Sequence, residues 1–189
     1  MPPADLANRL LDASDHILGG DPPPRLEDVA RHVGASRATM YYYFAGRDDL
    51  LAFLLVEHAR QGAEAVRAAL RADDPPAAQL RTMVSVLTGY LGRRPAICSG
   101  LLGAFGGAGR MREALQANDV MIAGPMRVLL ARGRADGEFA VADVATAANA
   151  IMGAMLLAVL GRASDGGDTT DDAFRDQVTE HVVGGVLAR

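Results

Sequence analysis

The sequence predicts an all-α protein: a short N-terminal three-helix unit of helix-turn-helix type, then a larger helical remainder. Three observations predict it. Half of the 189 residues are apolar, yet aromatics make up only 5%, and small unbranched side chains favour helix over sheet. Apolar residues recur at three- and four-residue spacing, the mark of one buried helix face. Glycine and proline clusters punctuate the chain at intervals that suit short and medium helices.

In chain order, Leu6, Leu10, Leu11, Ile17 and Leu18 make the stripe of a first helix. Gly19-Gly20 stops it, and Pro22-Pro23-Pro24 forbids continuation. Leu26, Val29, Ala30 and Val33 give the inner face of a short second helix, ended by Gly34, where a positive φ costs nothing. Ser36 is a suitable N-cap for a third helix from Arg37 to about Phe44. Gly46 ends that helix, and Asp48 and Asp49 open a long fourth one reaching about Ala72. Asp73-Asp74-Pro75-Pro76 is the next break. A helix through Leu80, Met83, Val84, Leu87, Tyr90 and Leu91 follows, then a segment with Ile97, Leu101, Leu102 and Phe105. Residues 111–132 read as one helix, kinked at Gly124-Pro125. Residues 133–139 read as a polar turn and 141–160 as a nearly all-apolar helix. The last helix carries Phe174, Val178, Val182, Val183, Val186 and Leu187. No strand and no fixed-period repeat is expected.

Residues 25–50 form the most informative segment. A short amphipathic helix, a three-residue turn with glycine and a second short helix build a helix-turn-helix, whose second helix fits the major groove of DNA. Arg37, Thr39, Tyr41, Tyr42 and Tyr43 offer phosphate and base-edge partners within seven residues. Met40 and Phe44 share one face and anchor the helix. That leaves Arg37, Thr39, Tyr42 and Tyr43 on the open face, with Arg47 just beyond. Packing of the tyrosines in an ordinary helical hairpin is the competing reading.

Charge argues the other way. The net charge is −4, and the first fifty residues carry five arginines against eight acids. All nineteen basic residues are arginine, whose guanidinium fork binds phosphate or guanine in a bidentate way. Binding must then rest on the placement of a few arginines rather than on bulk charge.

The segment resembles the N-terminal domain of the tetracycline-repressor (TetR) family. The resemblance covers residues 6–55 and rests on Val29-Ala30, the turn Gly34-Ala35-Ser36, the helix end Tyr41-Tyr42-Tyr43-Phe44, and Arg47. It implies DNA contacts from Arg37, Ala38, Thr39, Tyr41, Tyr42, Tyr43 and Arg47. It also implies a homodimer formed through the last two helices and a C-terminal domain that binds a small molecule. Arg25 stands where the family usually has Thr: an N-cap worth roughly 1 kcal/mol is lost, and a phosphate contact by Arg25 becomes available. The expected domains are 1–46, DNA-binding, and 47–189, effector-binding and dimerising.

The remainder supports a regulator more than other classes. Residues 141–160 and 174–187 are too apolar for two solvent-facing helices. Burial within one chain and a two-fold four-helix interface are both open, and a helix apolar on all sides favours the second. Two recognition helices about 34–36 Å apart would then address a palindromic double-stranded operator. Met83, Leu87, Tyr90, Cys98, Leu101, Phe105, Met111 and Met121 in the middle helices suggest an adaptable cavity for an apolar or weakly polar effector. Core packing is the plainer reading of each alone.

Other chemistries lack their parts. The lone Cys98 allows no internal disulfide framework and fits a reducing cytoplasm. The glycines at 100, 103, 106, 107 and 109 have no following Gly-Lys-Ser/Thr. The acidic loop at 165–172 lacks calcium-loop spacing, and four scattered histidines do not spell a metal site. No cofactor, metal or membrane span is expected. A nucleophile with its base is absent, so an enzyme is the weakest alternative. A helical protein-interaction module without DNA binding is the other.

Overall fold

The computed structural model describes residues 1–20, 24–104 and 109–188. Among these residues the chain is all-helical apart from one isolated antiparallel bridge. The helices are α1 (Ala4–Asp12), α2 (Ser14–Gly19), α3 (Leu26–His32), α4 (Arg37–Tyr43), α5 (Arg47–Ala69), α6 (Pro76–Gly92), α7 (Ala96–Ala104), α8 (Arg110–Asn118), α9 (Gly124–Ala135), α10 (Val144–Ser164) and α11 (Asp172–Gly184). They fall into two compact units.

The first unit joins Met1–Ala59 to Ala96–Asn118. Its core gathers Leu10, Ile17, Val29, Met40, Leu50, Leu54 and Leu55. α2 lies against α7, where Gly100 lets the helices close: a Cβ there would stand 2.9 Å from Leu18 Cδ2. Arg9 ties α1 to the α3–α4 turn. Its guanidinium donates to the Val33 carbonyl, and to that of Gly34 at 3.1 Å. The turn needs glycine, because Gly34 has φ +65°.

The second unit joins Arg60–Pro95 to Asp119–Arg189. Its core includes Leu80, Met83, Val84, Met126, Leu130, Ile151, Met155 and Val183. The expected kink takes a specific form: Asp119–Ala123 is a π-helical turn leading into Gly124-Pro125. Proline lacks an N–H and crowds the carbonyl four residues back, and the wider turn accommodates both demands.

Three expectations are corrected. The stripe from Leu6 to Leu18 lies not on one helix but on two, α1 ending at Asp12 and α2 beginning at Ser14. The last helix does not run to Leu187; it ends at Gly184, and Gly185 caps it. Val186 and Leu187 turn back to Phe139 instead, with Ala140 N–H donating to Val186 O and Ala188 N–H to Glu138 O, both at 2.9 Å. Residues 133–139 are also no mere polar turn, since Phe139 is 3% exposed. Its ring occupies the space beside Gly133: a Cβ there would stand 2.3 Å from two ring carbons. Alanine ordinarily improves a helix interior over glycine by about 1 kcal/mol. Here overpacking, at about 1–3 kcal/mol or more, outweighs that gain. Gly133→Ala is therefore expected to destabilise the protein by roughly 1–3 kcal/mol in urea unfolding; an unchanged or raised midpoint would refute the packing argument.

α10 presents much of its surface outward. Leu157 is 61% exposed, and Ala145, Ala150 and Ala154 are exposed too. By length and composition alone this helix could cross a membrane, which the absence of an unbroken apolar run in the sequence had argued against.

Candidate nucleic-acid interface

The residues of the candidate interface lie in the first unit. Ser36 caps α4: its hydroxyl accepts from Thr39 N–H at 2.9 Å and lies 2.8 Å from Thr39 Oγ1. A satisfied N-terminus lets a helix of only seven residues hold its shape. Met40 and Phe44, both fully buried, fasten it to the core. What α4 leaves outside is then set by its register.

Arg37, Ala38, Tyr41 and Tyr42 are exposed on it. Tyr42 is 80% exposed and meets the Tyr43 ring edge-on, with centroids 4.9 Å apart. Tyr43 is half-buried and lines a cleft of about 280 Å³ with Pro2, Phe53 and Val56. Thr39 is half-buried with its hydroxyl against the cap. The open face expected to comprise Arg37, Thr39, Tyr42 and Tyr43 is therefore corrected: Tyr41 joins it, while Thr39 and Tyr43 are drawn partly inward. Arg25 stands exposed at the N-cap position of α3 and makes no side-chain cap. Arg47 is the first residue of α5 and lines a polar recess with Gly46, Asp49 and Arg110. Asp49 accepts from Ala45 N–H at 3.0 Å and pairs with Arg110 Nε at 3.2 Å.

Sequence reasoning missed Glu27. From α3 its Oε1 accepts the Tyr41 hydroxyl at 2.7 Å and lies 3.4 Å from Arg37 Nη2. The Arg37 guanidinium also lies over the Tyr41 ring, 5.4 Å from its centroid. The tyrosine hydrogen bond, with Arg37 and Arg25 nearby, holds the Glu27 carboxyl below its usual range. The same bond pushes the Tyr41 phenol up. No spacing rule pairs residues 27 and 41, which lie on different helices.

The residues expected to line an effector cavity divide between the units. Cys98, Leu101 and Met111 belong to the first; Met83, Leu87, Tyr90 and Met121 belong to the second. Phe105 lies outside the described residues. Cys98 is fully buried, and burial pushes its thiol up to about 12, so almost no thiolate exists at neutral pH. Within the second unit, Tyr90 donates to Gln61 Oε1 at 2.9 Å. A groove of about 670 Å³ there has Val66, Leu70, Met83 and Leu129 among its lining residues, together with Arg127 and Arg132. Arg127 is held by two bonds to Asp119, at 2.7 and 2.9 Å. Met83 is the one expected effector residue that lines this groove.

Residues 24–53 match the family model described as "Bacterial regulatory proteins, tetR family". Solved structures share the fold along nearly the whole chain. The fatty acid degradation regulator FadR from Bacillus halodurans is 18% identical with a TM-score of 0.81, both chains being covered in full. A tetR-family regulatory protein from Rhodococcus RHA1 is 16% identical with a TM-score of 0.80, covering 99% of this chain and 100% of its own. FadR from Bacillus subtilis, solved with stearoyl-CoA, is 20% identical with a TM-score of 0.77, covering 94% and 98%. No curated protein matches the sequence.

Proposed function

We propose, from the premise that this chain is a DNA-binding transcriptional regulator of the tetR family, that it is a homodimeric repressor released from a palindromic operator by a small effector. The observation that carries the reading is the α3–α4 pair: a Ser36-capped helix with Arg37, Tyr41 and Tyr42 outward, inside the matched segment. Arg25, Arg37, Ala38, Thr39, Tyr41, Tyr42, Tyr43 and Arg47 are the proposed DNA-contacting set. Arg37 and Tyr42 are its principal members, since both are long polar side chains largely exposed on α4. Thr39 and Tyr43 contribute chiefly by holding the helix.

In this reading residues 1–46 read DNA, and 47–189 bind the effector and dimerise. The exposed apolar side of α10 supports dimerisation, and with it a soluble protein working in the cytoplasm rather than one spanning a membrane. The 670 Å³ groove is the proposed effector site in place of the full expected set. Its apolar lining beside Arg127 and Arg132 suits an apolar body with an acidic or polar end. The stearoyl-CoA bound by the Bacillus subtilis protein is a ligand of that kind. The effector must favour the DNA-incompetent arrangement, because only differential affinity shifts an equilibrium. α5 runs unbroken from Arg47 to Ala69 and so belongs to both units, which makes it the proposed coupling element. No catalytic role belongs to this reading.

Selection of bound duplexes from a random pool tests it. Enrichment of a palindrome whose half-site centres lie about one helical turn, or a multiple of it, apart is the expected outcome. A non-palindromic winner would sink the symmetric dimer. No enrichment at any salt would sink DNA binding altogether, leaving a helical protein-interaction module.

A further inference from the structure

We infer that Glu27 sets the DNA selectivity of this protein by holding Arg37 and Tyr41 in one arrangement on the face offered to DNA. The inference rests on the DNA-binding reading above. One carboxylate oxygen on α3 accepts a hydrogen bond from Tyr41 and forms an ion pair with Arg37, one turn away on α4, and the cation lies over the tyrosine ring.

The consequence follows from donor counting. A phenol carries a single proton. While that proton is given to Glu27, Tyr41 cannot donate to a phosphate oxygen; its free lone pairs can accept from a base amino group. Arg37 keeps other N–H donors, but a phosphate that seeks the guanidinium must compete with Glu27 at close range. Binding without sequence preference is almost entirely a matter of phosphates, whereas sequence is read at base edges. Glu27 therefore weakens the first mode more than the second. The neighbouring Asp28 provides a contrast: it pairs with Arg31 at 3.3 Å and makes no bond to Arg37 or Tyr41.

The test compares Glu27→Gln, Glu27→Asp and Asp28→Asn. Affinity is measured for the selected operator and for a scrambled duplex across a salt series. Glu27→Gln should tighten scrambled-duplex binding about five- to tenfold, with the salt slope steeper by about one per protomer. Operator affinity should change less than about twofold, so discrimination falls. Glu27→Asp keeps the charge but is one methylene shorter and loses reach to Tyr41, so it too should lower discrimination. Asp28→Asn makes the same charge change as Glu27→Gln and should tighten both duplexes alike.

Glu27→Gln behaving as Asp28→Asn does would overturn the inference, as would Glu27→Asp matching the unmodified protein. Circular dichroism establishes that each variant is folded; should Glu27→Gln unfold, Glu27→Asp decides alone. If the unmodified protein binds no duplex in a salt-dependent way, the DNA-binding reading fails instead, which separates the two failures.

Discussion

Replacing Arg37 and Tyr42 together by alanine is expected to weaken operator binding at fixed salt by on the order of a hundredfold or more. Each lost contact of this type costs about 1–3 kcal/mol, and each 1.4 kcal/mol is tenfold. A dimer loses every contact twice. Arg37→Ala carries a further cost, because it removes the cation beside Glu27 and turns that carboxylate toward the phosphates. The two halves of the double variant are separable. Arg37→Ala should lower the salt slope by about one per protomer, whereas Tyr42→Ala should weaken binding with the slope unchanged. Fold stability should barely move, because Tyr42 is 80% exposed and Arg37 projects into solvent. Unchanged affinity in the double variant, with an intact circular dichroism spectrum, would refute the DNA-binding reading.

The second large effect is expected from Leu157→Glu. α10 leaves Leu157, Ala145, Ala150 and Ala154 exposed, and Gly153 and Gly161 have open space where a Cβ would point. Small residues beside one large apolar side chain allow a second helix to approach closely. In a two-fold interface the same patch meets itself, so one substitution places two carboxylates in an apolar contact. Each buried leucine contributes about 1.5–3 kcal/mol, and the charges add a desolvation cost. Leu157→Glu should therefore convert a dimer to a monomer at micromolar concentration in sedimentation. Operator affinity should fall by on the order of a hundredfold, because two tethered heads raise avidity by about that much or more. A Leu157→Glu protein that stays dimeric would show that the dimer forms elsewhere.

Much of this molecule was legible before its structure. The helix-turn-helix could be read because every signal in it is local. Gly34 marks the turn, Ser36 the cap, and Met40 and Phe44 the buried side. The same kind of signal foretold the distortion before Pro125, though not its π-helical form. Local signals failed where a segment's fate depends on a distant one. Val186 and Leu187 continue the apolar spacing of α11, yet they leave the helix for Phe139, some fifty residues away. The expected effector residues share one chemistry but not one unit, since apolar character states that a side chain is buried and not where.

The amino-acid sequence by itself determined the all-helical class, the order of most helices and the helix-turn-helix segment. Periodicity, capping and glycine–proline punctuation act within four or five residues and need no distant partner. Only the tertiary structure decided what stands beside the reading element. It brought Glu27 to Arg37 and Tyr41, joined Arg9 to the turn, and set the side of α10 that stays uncovered. Those pairings come from the packing of whole helix faces, which depends on every element at once and leaves no fixed spacing along the chain.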